Sequence, residues 1–337
     1  AALKYVIFGA AASGLMLYGF SLLYGLTGTL VLADIGGAVA AAAAEGGIAA
    51  KIGIAIAMLL SIAGFGYKVA AVPFHMWCPD VYEGAPTPFV AFLSVAPKAA
   101  GVAALLRFLA VGFGGDYAAV FPWQTLIGVI AVATMTIGNL AALMQDNIKR
   151  LFAYSSIAHA GYLLMGVAVG TPEAMRAVML YLPIYLLMNM GAFFVVMMVR
   201  ERAGSEFICA YRGLGIRNSL LAVAMSAFLF SLVGIPPFSG FIAKFYLFLA
   251  VIKADTAFFY FLALVAVLNS VVSLFYYARI ARAMFFEQHE GTVDFGRLGA
   301  VNTGLVTALA VPTLLLGVWW APLAAMVDRT ATLLGGF

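Results

Sequence analysis

Nine apolar stretches leave this chain little choice of fold. They cover residues 5–27, 52–76, 88–111, 122–144, 151–170, 177–199, 219–251, 257–283 and 300–322, each close to or above the ~20 residues a helix needs to cross a bilayer. Lipid offers no partner to a backbone N–H or C=O, so a spanning segment must be a helix or part of a closed barrel, and runs of this length fit helices. With 65% hydrophobic and 9% charged residues, no water-soluble fold could bury the apolar surface. The expected class is an all-α polytopic membrane protein of about nine transmembrane helices, two of them broken.

An odd number of spans puts the two ends on opposite sides. Alternate loops then carry Lys4, Lys149, Arg150, Arg200, Arg202, Arg212, Arg217, Arg279, Arg282 and Arg297 on one side and Lys51, Arg107, Arg176, Lys253 and Arg329 on the other, ten against five. The positive-inside bias predicts residue 1 on the cytoplasmic or matrix side of a bacterial cytoplasmic or mitochondrial inner membrane, with Phe337 across it. The net charge of +4 is accounted for in this way without a nucleic acid. Cys78 and Cys209 are far apart and show no CxxC or Cys/His spacing, so no disulfide framework, metal site or iron–sulfur site is expected. The opening AALKYV has no charged region followed by a cleavage site, so it is not a signal peptide, and the chain is expected to begin within a longer protein.

Three lysines, Lys68, Lys98 and Lys244, fall inside these stretches, while every acidic residue falls in a loop or at a helix end. An amine in hydrocarbon is costly and marks an ion or proton path unless it snorkels to the headgroups. Lys98 and Lys244 lie too deep for snorkelling to be the simpler reading. Two stretches are also interrupted: GFGYKVAAVPFHMW has Pro73 soon after Lys68, and LVGIPPFSGFIAKFY has Pro236 and Pro237 before Lys244. Proline removes a donor and clashes with the preceding turn, so each helix is expected to kink or unwind beside its lysine. The second and seventh stretches run in opposite directions, the pattern of inverted repeats with discontinuous helices at an ion path.

Lys68 and Lys98 sit on successive helices and could approach one another. Desolvation disfavours an ammonium and a nearby anion favours it, so a lysine balanced between the two can exchange protons. His159, in AYSSIAHAGYLLMG, shares a span with Tyr154, Ser155, Ser156 and Tyr162, whose hydroxyls could extend a hydrogen-bonded relay or serve as packing glue between helices. His75, beside Pro73, is read first as a cap for freed carbonyls and second as a path residue. Asp80 could cap the next helix, or it and Glu83 could meet a neighbouring subunit. Lys149 and Arg150 read as topology signals at a helix start. The glycines of GFGYK lack the strand-to-helix context of a phosphate loop, and aromatic stripes such as LFYYARI read as lipid-facing or interfacial.

Four separated motifs resemble one family in the same order: GYKVAAVPFHMWCPDVYEGAPTPFVAFLSVAPKAA, QDNIKRLFAYSSIAHAGYLLMG, YRGL at 211–214 and GIPPFSGFIAKFY. They are similar to the antiporter-like membrane subunits of respiratory complex I, the proton-translocating NADH:quinone oxidoreductase, and within them to the subunit N branch. The resemblance implies a bundle of two inverted five-helix repeats with a charged axis in which Lys68, Lys98 and Lys244 are the lysines and His159 lies in the connecting region. Residues 1–111 would be the remaining part of the first repeat, 112–283 the second, and 284–337 a C-terminal helix and tail. A lysine at 244 fits subunit N better than subunit M, which is expected to carry glutamate there. The family's essential glutamate, partner of the lysine matching Lys68, would lie on a helix upstream of Ala1.

The resemblance further implies that this chain binds no cofactor of its own, with NADH, FMN, iron–sulfur clusters and quinone handled by other subunits. Its expected neighbours are the antiporter-like subunit M, the small subunits A, J and K, and lipid, with protons as cargo. A multisubunit cation/proton antiporter of the same fold and a structural scaffold with silent lysines are the two competing readings. A related membrane arm fed by ferredoxin shares the same expectations, because the electron donor binds elsewhere.

Overall fold

The computed structural model describes residues 1–114, 121–288 and 298–333. Arg297 of the charge count, Phe337 at the C-terminus and parts of the 284–337 unit lie outside the described residues. In chain order the helices are α1 (Ala2–Thr27), α2 (Leu32–Glu45), α3 (Gly47–Val69), α4 (Trp77–Gly84), α5 (Thr87–Phe113), α6 (Trp123–Leu143), α7 (Ile148–Val169), α8 (Pro172–Ala203), α9 (Leu214–Arg217), α10 (Ser219–Val233), α11 (Ser239–Lys253), α12 (Ala257–Phe286), α13 (Ala300–Val318) and α14 (Ala321–Leu333). Among the described residues there is no β-strand. Eight helices, α1, α3, α5, α6, α7, α8, α12 and α13, are long and apolar enough to cross a membrane. The remaining apolar stretch, 219–251, divides into α10 and α11 of 15 residues each.

Two elements escape a reading by apolar runs. Helix α2 is interrupted in hydropathy by Asp34, Gly36, Gly37 and Glu45, yet it buries Ile35, Val39 and Ala43 and packs on α1, α3 and α5. Helix α14 is amphipathic and is held to α8 by the Arg176–Asp328 pair at 3.8 Å.

Helix α7 is the centre of the bundle. Inside its most apolar window 94% of residues are buried, against 17% for α1 and 11% for α13. Its N-cap, Asn147, accepts hydrogen bonds from the backbone N–H of Lys149 and Arg150 at 2.9 and 3.1 Å, satisfying two of the donors a helix start leaves open. Glycines let α6 lie backbone to backbone against it: a Cβ on Gly161 would come within 2.7 Å of the Met135 nitrogen, and one on Gly138 within 2.7 Å of the Ala158 nitrogen. Small residues at such seams are how membrane helices gain packing without a hydrophobic driving force.

Both expected breaks occur, each about halfway along a neighbouring helix. Helix α3 runs unbroken to Val69 and ends at Ala70 in the left-handed region, φ 59°; the freed Val72 N–H is received by Thr134 Oγ1 of α6 at 3.0 Å. Helix α10 ends at Gly234, whose φ of 90° suits glycine, and the Gly240 N–H at the start of α11 is received by Ser231 Oγ at 3.0 Å.

Loops that the charge count groups together are joined by ion pairs. Asp80 of α4 meets Lys4 of α1 and Arg150 of α7; Glu206 meets Lys149 and Arg200; Glu287 meets Arg212 and Arg282. Helix α3 therefore runs toward this charged end and α10 runs away from it, so the two broken helices are antiparallel.

Candidate functional site

The α7 residues Ser156, His159 and Tyr162 are spaced three apart, so they stack on one face and rise about 9 Å in all. Lys98 of α5 meets this face at one end. Its residue is 2% exposed, and its Nζ donates to Ser156 Oγ at 2.6 Å, with the Tyr82 ring of α4 at 5.9 Å. The single Ser156 O–H has two acceptors within reach, the Ala153 carbonyl at 2.9 Å and the Tyr82 hydroxyl at 3.3 Å.

Lys244 of α11 meets the other end. It is 4% exposed; its Nζ donates to the Val233 carbonyl at 2.7 Å and to Ser270 Oγ of α12 at 3.0 Å, and it stands 4.5 Å from the Tyr162 ring. The helix break supplies that carbonyl: with the α10 ladder ended at Gly234, Val233 has an oxygen free to face the amine. Ser270 also donates to the Tyr162 hydroxyl at 3.1 Å. His159 lies between the two lysines, with Nδ1 2.5 Å from the Tyr181 hydroxyl and its ring 5.1 Å from that of Tyr185. Among the described residues no carboxylate pairs with either buried lysine. Lys98 is held by a hydroxyl and a π-face, and Lys244 by a hydroxyl, a carbonyl and a π-face, groups that bind an ammonium and leave it able to give up its proton.

The other sequence candidates are placed differently. Lys68 is an exposed residue in the last turn of α3. A Cβ on Gly101 of α5 would come 3.2 Å from the Lys68 Cβ, so the two backbones are close, but the Lys68 amine has no hydrogen-bond or ion-pair partner among the described residues and does not meet Lys98. Ser155 joins the buried polar set through the Tyr277 hydroxyl, whereas Tyr154 is half-buried and outside it. His75 Nδ1 is buried without a partner, while the ring hydrogen-bonds the backbone of Pro73 at the break.

Asp80 does not cap the next helix, because the residue at that position before α5 is Pro86; it is bound to Lys4 and Arg150 instead. Lys149, read as a topology signal, is 1% exposed and donates to the Ala85 carbonyl and to Glu206 at 2.8 and 2.9 Å. Tyr276 and Tyr277 of the LFYYARI stripe, read as lipid-facing, are 1% and 0% exposed. Their ring centroids lie 4.4 Å apart, and both hydroxyls are bonded within the bundle.

The Asp80 pairing makes a test of how α4 is held. The Lys4 ammonium beside it, with the Arg150 guanidinium, holds the Asp80 carboxyl below the usual carboxylate range. A lowered pKa means stabilisation that is complete above the ordinary value and lost as pH falls through the lowered one. The protection of α4 amides from hydrogen exchange, taken relative to the intrinsic rate at each pH, is therefore expected to be steady from neutral pH downward and to fall below about pH 4. Asp80→Asn should exchange fast throughout; an acid step that persists in that variant would assign it to another group.

The sequence matches the family described as NADH:quinone oxidoreductase/Mrp antiporter, TM, over residues 1–271. It is 50% identical to NADH-quinone oxidoreductase subunit N 2 of Sorangium cellulosum over 99% of this chain and 66% of that one. It is 48% identical to NADH-quinone oxidoreductase subunit N of Anaeromyxobacter sp. over 99% and 68%. A chain of respiratory complex I from Thermus thermophilus superposes with a TM-score of 0.78 at 34% identity, covering 96% of this chain and 68% of that one. The chain thus spans about two thirds of the length of the curated relatives it matches.

Proposed function

Because this chain belongs to the NADH:quinone oxidoreductase/Mrp antiporter transmembrane family, we propose that it is a proton-translocating membrane-arm subunit of an NADH:quinone oxidoreductase. Protons move along the axis Lys98, Ser156, His159, Tyr162, Lys244 while quinone is reduced in other subunits. The observation that carries the reading is the pair of buried, carboxylate-free lysines at the two ends of one polar face of α7. Changing the charge at one alters the proton affinity of the next, so protons pass stepwise along hydrated side chains.

Lys68 belongs to the axis in this reading as its outermost member, with residues 1–111 as the remaining part of a first repeat and 112–283 as the second. The chain holds no redox centre itself; NADH, FMN, iron–sulfur clusters and quinone belong to other subunits, and subunits M, A, J and K are its neighbours. The charged end carrying Lys4, Arg150 and Arg212 faces the cytoplasm or matrix.

The discriminating measurement uses inside-out vesicles containing the complete complex. NADH with a quinone acceptor is expected to acidify them at a rate indifferent to sodium. Proton exchange that requires sodium and proceeds without NADH would assign the chain to a cation/proton antiporter instead.

A further inference from the structure

At the end of the bundle opposite Lys4, Asp80 and Arg150, four charged side chains stand around one small cleft. Helix α8 begins there and contributes Glu173 and Arg176, three residues apart and therefore on one face. Helix α11 ends there with Lys253 in its last turn, and Asp328 comes from α14, which lies against α8. The cleft has a volume of about 240 Å³. Its floor is apolar: Leu180, Ala250 and Val327 are at most 8% exposed, and Leu249 stands beside them at 37%.

Two carboxylates and two cations in one cleft would ordinarily pair off. Here only Arg176 and Asp328 do so, and at 3.8 Å theirs is the widest ion pair among the described residues. That pair uses Nε of the guanidinium, which leaves the terminal nitrogens as further donors. Glu173 and Lys253 have no ion-pair partner among the described residues.

Aromatic groups set the depth of the cleft. Tyr246 lines it, and its hydroxyl accepts from Trp320 Nε1 at 3.0 Å, just past the end of α13 at Val318. Tyrosine and tryptophan rings gather where headgroups meet hydrocarbon. The ends of α8, α11 and α13 meet at this same level, so the cleft opens at the membrane boundary.

We propose that this cleft binds one phospholipid with a primary-amine headgroup, a phosphatidylethanolamine, in the leaflet away from Lys4, Asp80 and Arg150. Arg176 and Lys253 hold the phosphate, Glu173 and Asp328 accept from the ammonium, and the acyl chains leave over Leu249. The pattern of signs selects this headgroup. A glycerol headgroup brings net negative charge and no cation for the two carboxylates. A choline headgroup has no N–H to donate and is recognised by a cage of aromatic rings, whereas Tyr246 is the one aromatic residue lining the cleft. The volume is below the ~300 Å³ at which pockets for whole drug-sized ligands begin, so the headgroup enters and the tails stay in the bilayer. Bound there, the lipid ties α14 to the ends of α8 and α11. The site lies off the proton axis and stands whether or not Lys244 carries protons.

The test uses the complete complex in vesicles of equal parts phosphatidylethanolamine and phosphatidylglycerol with identical acyl chains, with p-benzoylphenylalanine in place of Leu249. Irradiation links this group to whatever lies against it, and the mass of the modified peptide identifies the lipid. Identical chains ensure that the photochemistry itself makes no choice. The same group in place of Phe261, an exposed side chain of α12 at the same end of the bundle, reports the unselected ratio. At Leu249 the phosphatidylethanolamine adduct is expected to exceed the phosphatidylglycerol adduct several-fold. In Lys253→Gln or Glu173→Gln backgrounds that excess should fall to the ratio at Phe261, at unchanged complex content. Equal ratios at the two positions, an excess of phosphatidylglycerol, no lipid adduct at Leu249, or an excess that survives both variants would each overturn the proposal. A link from Leu249 to another subunit would overturn it too, by making the cleft a protein interface.

Discussion

Lys244→Ala is expected to abolish proton translocation through this chain in the assembled complex, and quinone reduction coupled to it should fall with it. Nothing else in contact with this amine can take its place as proton carrier: Val233 offers a carbonyl, Ser270 a hydroxyl and Tyr162 a ring face. A positioned group that takes up and releases a proton is worth about 10²- to 10⁴-fold in rate, and losing one mid-path should leave pumping near background. Lys244→Arg separates proton exchange from fixed charge. Guanidinium keeps the charge and much of the packing but does not deprotonate in a protein, so it too should fail to pump. NADH-driven acidification of vesicles is the measurement. An arginine variant with normal stoichiometry would recast Lys244 as a static charge.

The second large effect concerns assembly. Lys149→Ala is expected to destabilise the chain by about 3 kcal/mol, because breaking a buried pair strands the remaining charge. The lysine is 1% exposed and ties the start of α7 to the Ala85 carbonyl that ends α4 and to Glu206 beyond α8. Glu206 keeps its bond to Arg200 at 2.8 Å, which holds the expected loss at the lower end of the range for buried pairs. Arg200→Ala is the control. Its side chain is 48% exposed, and an exposed partner of this kind contributes about 1 kcal/mol or less. Thermal inactivation of the membrane-embedded complex should separate the two variants clearly; equal losses would mean that the Lys149 pair behaves as a surface one.

The spans were legible in the sequence because hydropathy acts along the chain, and so were both breaks, since Pro73 and the Pro236–Pro237 pair interrupt apolar runs. Lys98, Lys244 and His159 could be picked out for the same reason: each is a costly residue in an oily stretch. The groups that hold them were harder to find. Lys98 and Ser156 are 58 residues apart and Asn139 and Tyr276 are 137, distances over which no local pattern operates. Tyrosine compounds the difficulty, for its ring suits a lipid-facing stripe and its hydroxyl suits a buried relay, and LFYYARI alone does not say which. One local signal was available: Ser156, His159 and Tyr162 fall at intervals of three on a helix, which puts them on one face before any tertiary contact is known. The structural part Lys149 plays was not legible, because a cation at a helix start is ordinary for topology, while its burial depends on α4 and Glu206 arriving from elsewhere in the chain.

The glycine seam between α6 and α7 has a mechanical consequence. With Gly138 and Gly161 pressed against facing backbone, neither helix can slide or roll past the other without collision, so Asn139 on one and His159 on the other belong to a single rigid stator. Any gate that opens and closes during turnover must then be built from rotating hydroxyls or from the helices around that stator.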